Sequence, residues 1–269
     1  MDKKKNYAVF ISSSDSYADI WDMFFHFFKK LWPDFDGSLL LNTTNLSYKF
    51  ENKEISTQVK DGKFGKVFNR GLDMIKEDYV LLIMIDYLFM DKVNAHRLQE
   101  YYKSFLENDL DVFYLIQRNL KDNHETDIPG FRIVNQPMPD EQLFGFQMAF
   151  WKKNVLKEMV LGHEDPWFAE YFGSKRAKKM KIKVGFVEKE YMPILYDANG
   201  CLHQGLWMEN AVKFLKEQSY DKIDFEKRGY YNDNKVYQTK KFWRIFTIKK
   251  ILTGLRGSYW DLIARTPIH

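Results

Sequence analysis

Apolar residues recur along this chain in short blocks separated by polar, turn-forming stretches. The most continuous block is Tyr79-Val80-Leu81-Leu82-Ile83-Met84-Ile85. It is too short to cross a membrane and suits a strand buried on both faces, the kind found at the centre of largely parallel sheets. Asp86 follows directly, at the C-terminal end of that strand. In open α/β sheets this is the edge where ligands bind. Residues 7–11 predict a first strand. Ser12-Ser13-Ser14-Asp15-Ser16 then supplies turn and capping residues before an apolar-rich helix over about 17–31, which Pro33 ends.

The same pattern predicts a strand over 38–41, mixed irregular or edge structure over 46–60, and a helix over 66–76 with Val67, Leu72 and Ile75 on one face. After the long strand come a helix over 93–106 and a strand over 111–116. Residues 120–140, with Pro129, Pro137 and Pro139, read as a long excursion of the lid or substrate-loop kind. A strand over 143–151 and a helix over 152–161 follow. Gly162-His163-Glu164-Asp165-Pro166 is a turn in which Pro166 starts a helix over 167–172. A strand over 181–188 and a helix over 206–217 complete the body. Alternation of this kind predicts an α/β fold with a mostly parallel central sheet flanked by helices. The expected division is a body over 1–218 and an extension over 219–269.

Composition narrows the classes. In 269 residues, 45% apolar and 17% aromatic content supplies a real core. The single cysteine, Cys201, excludes an internal disulfide framework and a Cys-rich zinc site. No signal-peptide-like region and no long apolar stretch is visible, so the expectation is a cytoplasmic protein without a membrane span. The net charge is +4, yet residues 234–260 alone hold seven basic residues and no acid, which leaves the rest slightly acidic. In residues 238–263, Phe242, Trp243, Ile245, Ile248, Leu252 and Leu255 interleave with those basic side chains. A basic aromatic helix of this type suits an anionic membrane surface; a helix packed on the body with a solvated basic edge is the other reading. A slightly acidic body without a recognisable module argues against nucleic acid.

Neither Gly-x-Gly-x-x-Gly nor a P-loop is present, since Gly62-Lys63-Phe64-Gly65-Lys66 has the wrong spacing. The candidate chemistry lies in four clusters: Ser13 and Asp15 after the first strand, Asn69-Arg70-Gly71, Asp86, and Glu164-Asp165. Asn69-Arg70-Gly71-Leu72 followed by Asp78-Tyr79-Val80-Leu81-Leu82-Ile83-Met84-Ile85-Asp86 resembles the signature of inverting GT-A-type glycosyltransferases. There an Asn-Arg-Gly helix precedes a strand that ends in Asp-x-Asp. Glu164-Asp165 before a helix is similar to that family's x-Glu-Asp motif. Asp15-Ser16-Tyr17-Ala18-Asp19-Ile20-Trp21, Phe146-Gln147-Met148-Ala149-Phe150-Trp151 and Trp167-Phe168-Ala169-Glu170 resemble a bacterial surface-polysaccharide subgroup concerned with capsule and lipopolysaccharide. Together these pieces span residues 7–207.

The resemblance implies a GT-A-like fold and transfer of a sugar, with inversion, from a nucleotide-sugar donor, UDP-linked by preference, to a glycan or lipid-linked acceptor. It implies donor contacts at Ser13, Asp15, Tyr17, Arg70 and Asp86, acceptor contacts at Gln147 and Trp167, and Asp165 as the base with Glu164 beside it. A divalent cation, Mn or Mg, would sit on Asp86 with His203 as a weak further ligand. In this strand, however, Met84 occupies the place of the first aspartate and Tyr87 follows Asp86. Hard divalent ions need several oxygen ligands, so a metal-independent site with Arg70 or a lysine as the cation stays open.

Plainer readings stand beside these. Asp15 or Ser16 would cap the first helix, and Glu164-Asp165 would cap the helix after Pro166. Trp167 would be core, and His203 an ordinary loop histidine. A sugar-phosphate nucleotidyltransferase needs a Gly-rich phosphate loop after the first strand, and residues 12–16 contain no glycine. A non-catalytic nucleotide- or glycan-binding relative is the third reading, motivated by Met84 and Ile85.

Overall fold

A computed structural model describes residues 6–60 and 62–231. The elements run β1 (Tyr7–Ser12), α1 (Ala18–Leu31), β2 (Ser38–Asn42), a small hairpin of β3 (Lys49–Phe50) and β4 (Lys53–Glu54), α2 (Phe64–Asp73) and β5 (Tyr79–Met84). Next come α3 (Ala95–Glu107), β6 (Val112–Tyr114), β7 (Asn123–Glu125), β8 (Phe131–Val134), β9 (Ala149–Lys152) and α4 (Lys153–Met159). The series ends with α5 (Pro166–Met180), β10 (Val184–Val187), a second hairpin of β11 (Leu202–His203) and β12 (Leu206–Trp207), and α6 (Glu209–Glu217).

Eight strands form one sheet in the order β2-β1-β5-β9-β6-β10-β8-β7. The pairs β1–β2, β1–β5 and β6–β10 are parallel; only β9 and β8 run against the others. The sheet is therefore mostly parallel, and the α/β class expected from the alternation of elements is present. Successive residues of each central strand enter opposite cores, because side chains alternate across a strand. Val9, Ile11, Leu81, Ile83, Phe113 and Phe150 face one core with Phe24, Phe28, Tyr102, Phe105 and Leu215 from α1, α3 and α6. Phe10, Val80, Leu82, Tyr114 and Trp151 face the other, with Phe68, Leu156 and Ala169 from α2, α4 and α5. Two covered faces explain why the β5 run is apolar at every position.

Three expectations change. The 120–140 excursion is no lid: β7 and β8 within it form an antiparallel hairpin that extends the sheet beside β10. The strand expected over 143–151 is only β9, because the chain at 143–148 bends over the sheet edge, where Tyr114 Oη donates to the Leu143 carbonyl. The helix expected over 167–172 continues through Gly173 and Ser174 to Met180 and stops where Lys181 takes a left-handed conformation. Gly173 and Ser174 are buried against the loop before β9, so packing outweighs their weak helix propensity.

The body also runs past residue 218. Tyr220 is buried, and the Gly229 carbonyl accepts the Trp207 N–H. The basic aromatic helix expected over 238–263 lies outside the described residues. Among the described residues no helix is long and apolar enough to cross a membrane.

Candidate functional site

The chain passes from β1 through α1 on one face of the sheet to β2, then through α2 on the other face to β5. A change of face between adjacent parallel strands opens a crevice at their carboxyl ends, the usual ligand position in such sheets. Ser12 pairs with Met84 across this crevice, and Ile85 N–H donates to the Ser12 carbonyl at 3.0 Å. Asp86 is the next residue. A segment over 193–201 runs back along 86–94: Met90 N–H donates to the Leu195 carbonyl, and Cys201 N–H donates to the Asp86 carbonyl at 2.7 Å. Gly200 is placed directly against the Asp86 carboxylate.

Burial pushes the Asp86 carboxyl up from 3.8 to about 6, against a hydrogen bond from its own backbone that favours the charged form. The Tyr17 hydroxyl is also raised, first by burial and then by the Asp86 charge, while Arg228 opposes the rise. The Cys201 thiol is raised well above its usual range by burial and by Asp86. Asp86, Tyr17 and Cys201 therefore share one poorly solvated electrostatic environment.

On the β1 side of the crevice, Ser13 Oγ accepts the Trp21 indole N–H at 2.8 Å. Asp15 accepts the backbone N–H groups of Thr44 at 2.9 Å and Asn45 at 2.8 Å, so it joins the loop after β1 to the loop after β2. Burial raises the Asp15 carboxyl, but those N–H bonds outweigh it and hold the group below its ordinary value. Arg228 closes the same side. Its guanidinium lies over the Tyr17 ring, pairs with both oxygens of Asp19, and donates to the carbonyls of Ser16 at 2.7 Å and Gly205 at 3.2 Å.

A second cluster lies on the β9–β6 side. Tyr196 Oη accepts Met148 N–H and donates to Gln147 Oε1 at 3.1 Å, and Gln147 Nε2 donates to the Ala198 carbonyl. The Tyr87 and Tyr196 rings meet at 4.9 Å. Burial raises the Tyr87 hydroxyl, with Tyr196, Asp86 and Glu170 adding to the rise and Arg118 opposing it. Tyr87 thus stands within electrostatic reach of Asp86 on one side and of Glu170 and Arg118 on the other. The Glu170 carboxyl is raised by burial, partly offset by a hydrogen bond from Phe146 N–H and by Arg118. Beside Arg118 opens a polar cleft of about 360 Å³ lined by Gln117, Arg118, Asn119, Lys121 and Gln142.

The other expected residues lie as follows. Glu164 is buried and accepts from both Nη atoms of Arg176, at 2.8 and 2.6 Å, and from Leu161 N–H. Asp165 is exposed and caps α5, accepting Phe168 N–H at 2.9 Å. Trp167 is 53% exposed on the first turn of α5 and is not core. Arg70 is exposed near the end of α2. Its two neighbours explain the Asn-Arg-Gly piece by packing: Asn69 Nδ2 donates to the Val160 carbonyl, and Gly71 leaves no room for a methyl group beside Asn42 and Phe10. His203 lies half-buried in the β11–β12 hairpin.

Among the described residues no group of three or more His, Cys, Asp and Glu side chains is placed to hold an ion by protein ligands alone. A Mg or Mn ion on Asp86 would take its remaining oxygens from a bound diphosphate and water.

Glu170, Arg118, Tyr196, Gly200 and Arg228 were not singled out from sequence. Glu170 closes the Trp167-Phe168-Ala169-Glu170 piece, so that signal was present. The others reach the site only through long-range contacts and carry no local pattern.

No protein-family profile matches the chain, and no curated protein matches it. Several solved structures show a distant likeness. A fragment of S. aureus TarS, residues 1–349, is 14% identical over 71% of this chain and 59% of its own, with a TM-score of 0.43. Bifunctional IspDF from Campylobacter jejuni is 15% identical over 71% of this chain and 52% of its own, with a TM-score of 0.40. A CMP:2-keto-3-deoxy-manno-octonic acid synthetase complexed with CTP is 9% identical over 68% of this chain and 89% of its own, with a TM-score of 0.39. The chain thus spans less than two thirds of the TarS fragment and of IspDF.

Proposed function

We propose that the protein is a glycosyltransferase that uses a nucleotide-sugar donor. The observation that carries this reading is the half-buried, poorly solvated carboxylate of Asp86 at the carboxyl-end crevice between β1 and β5, with Ser13 and Tyr17 delivered to the same crevice from β1. A donor diphosphate gains negative charge as its bond to the sugar breaks, and preorganised groups at that point lower the barrier. Asp86 would hold the donor's ribose or sugar hydroxyls, for which a desolvated carboxylate is a strong hydrogen-bond acceptor. The acceptor hydroxyl would attack from the β9–β6 side and displace the diphosphate with inversion. A divalent ion held on Asp86 together with diphosphate oxygens would offset the charge on the leaving group, and no step is routed through it. Cationic side chains, among them Arg70, are the alternative source of positive charge.

The resemblance of residues 7–207 to surface-polysaccharide enzymes supports UDP as the nucleotide, a glycan or lipid-linked acceptor, and a cytoplasmic protein held at the inner membrane face by its basic tail. The test is thermal denaturation with UDP, CDP, GDP and a panel of UDP-sugars, each with and without Mn. Stabilisation by one diphosphate nucleotide and its sugar supports the reading, since a ligand of the folded state raises stability. Loss of that shift in Asp86→Asn supports Asp86 as the donor contact. Release of pyrophosphate from a nucleoside triphosphate and a sugar phosphate, without UDP release from any UDP-sugar, would replace the reading with nucleotidyl transfer.

A further inference from the structure

We infer that Glu170, and not Asp165, is the base that takes the proton of the incoming hydroxyl, and that the polar cleft beside Arg118 holds a hydroxyl-rich glycan acceptor. This inference rests on the transferase reading. Asp165 has one carboxylate oxygen on the α5 cap and faces solvent. Glu164 has both oxygens on Arg176 in a buried pair. Glu170 is different. Its Oε1 accepts Phe146 N–H at 2.9 Å, which fixes the carboxylate, and Oε2 is without a protein partner among the described residues.

Gly145 stands beside both groups. A methyl group there would meet Glu170 Oε1 at 3.4 Å and Arg118 Nη1 and Nη2 at 3.6 and 3.8 Å. A carboxylate and a guanidinium are thus neighbours, yet among the described residues no ion pair joins them; Arg118 lies over the Tyr114 ring and donates to the Gln142 carbonyl. A strong acceptor next to a strong donor suits a hydroxyl-bearing ligand, which gives a proton to one and takes a hydrogen bond from the other.

Arg118 also lines the cleft, whose further walls of Gln117, Asn119, Lys121 and Gln142 offer both donors and acceptors. Its volume of about 360 Å³ falls within the range of small-molecule sites, roughly 300–1,000 Å³. On α5, Trp167 precedes Glu170 by three residues, so the two are neighbours on the helix surface. The exposed indole supplies an apolar face for a sugar ring on the same side of the helix as Glu170. The raised Glu170 carboxyl agrees with this role, because a general base works best when its pKa approaches the working pH.

Acceptor oxygen forms a bond to the anomeric carbon, its proton passes to Glu170, and the bond from that carbon to the diphosphate breaks with the electron pair leaving on the nucleoside diphosphate. Glu170 then returns the proton to solvent.

The test compares Glu170→Gln, Asp165→Asn and Arg118→Gln by UDP release from the UDP-sugar that stabilises the wild type, with water and with a panel of methyl glycosides. Glu170→Gln is expected to lower kcat by about 10²–10⁴-fold while donor KM and the donor-induced thermal shift stay within about twofold. It should also remove the acidic limb of the pH–rate profile, which a merely structural change would not do. Its unliganded melting temperature checks that it folds. Arg118→Gln should raise the acceptor KM more than it changes release to water. Asp165→Asn should keep kcat within about threefold. Wild-type turnover in Glu170→Gln, or its abolition in Asp165→Asn alone, overturns the assignment. Failure of every nucleotide and UDP-sugar to stabilise or react with the wild type overturns the transferase reading itself.

Discussion

Gly200 makes the room that the Asp86 carboxylate occupies. A methyl group on Gly200 would stand 2.8 Å from Asp86 Oδ2, and the residue has a φ of +78°, a region open to glycine and strained for other residues. Gly200→Ala therefore acts twice, through the backbone and through the displaced carboxylate. Its expected effect is a loss of roughly 1–3 kcal/mol in stability together with loss of nucleotide-induced stabilisation. Urea denaturation with and without UDP checks both. An alanine variant that melts and binds like the wild type would show that Asp86 does not need its present position.

The pH dependence of Asp86 has a definite sign. Its folded carboxyl titrates at about 6 against an ordinary 3.8, so the folded state holds the proton more tightly than the unfolded one. Stability contributed by the protonated form is full below about pH 4, falls as pH rises through 6, and is absent above. Two pK units correspond to roughly 3 kcal/mol. Asp86→Asn removes this titration. The variant should be more stable than wild type at pH 8, by up to that amount, with the difference closing toward pH 4, and it should lose nucleotide binding. A variant less stable than wild type at pH 8, with a gap that does not vary with pH, would contradict a desolvated carboxylate.

Glu164 and Asp165 are adjacent in sequence and differ in environment. Glu164 is 4% exposed and joined to Arg176 by two hydrogen bonds, so Glu164→Ala leaves a guanidinium without its counter-ion. Removing one partner of a buried pair costs about 3–5 kcal/mol, and the 21% exposure of the Arg176 side chain places the expected loss toward the lower end. Asp165→Ala removes a helix cap, at about 1 kcal/mol. Denaturant midpoints of the two variants should differ accordingly, and equal midpoints would mean that the Arg176 pair contributes no more than the cap.

These environments show what a single sequence conveys. The apolar run at β5, its acid at the carboxyl end and the α/β alternation follow from local pattern, because strand burial and side-chain period are written in adjacent residues. The reading of Glu164-Asp165 as a catalytic pair overlooked Arg176, which lies twelve positions away on the next helix and reveals itself only once α5 is known to continue past Gly173. Gly200 and Arg228 were invisible for the same reason. Their partners, Asp86 and Asp19, are more than a hundred residues away in sequence, and no periodicity links them. The hairpin of β7 and β8 escaped notice because its strands are short and the three prolines of residues 120–140 suggested a loop.

Arg228 supplies the last prediction. It ties the loop after β1 to the β11–β12 hairpin through Asp19, Ser16 and Gly205, and its guanidinium covers Tyr17. Its hydrogen bonds hold the Asp19 carboxyl below its ordinary value, against burial that raises it. Lysine cannot reproduce a bidentate contact together with two carbonyl bonds, since it offers one nitrogen where arginine offers a planar fork. Arg228→Lys should therefore loosen residues 202–207 and leave the two cores intact. Amide exchange in the hairpin is expected to quicken by at least about tenfold, the equivalent of roughly 1.4 kcal/mol, while exchange in β1 and β5 stays unchanged. Nucleotide-induced stabilisation should weaken in parallel, because Tyr17 loses the guanidinium that packs on its ring. Unchanged hairpin exchange in the lysine variant would assign the closure of this side of the crevice to other contacts, such as the Trp207–Gly229 hydrogen bond.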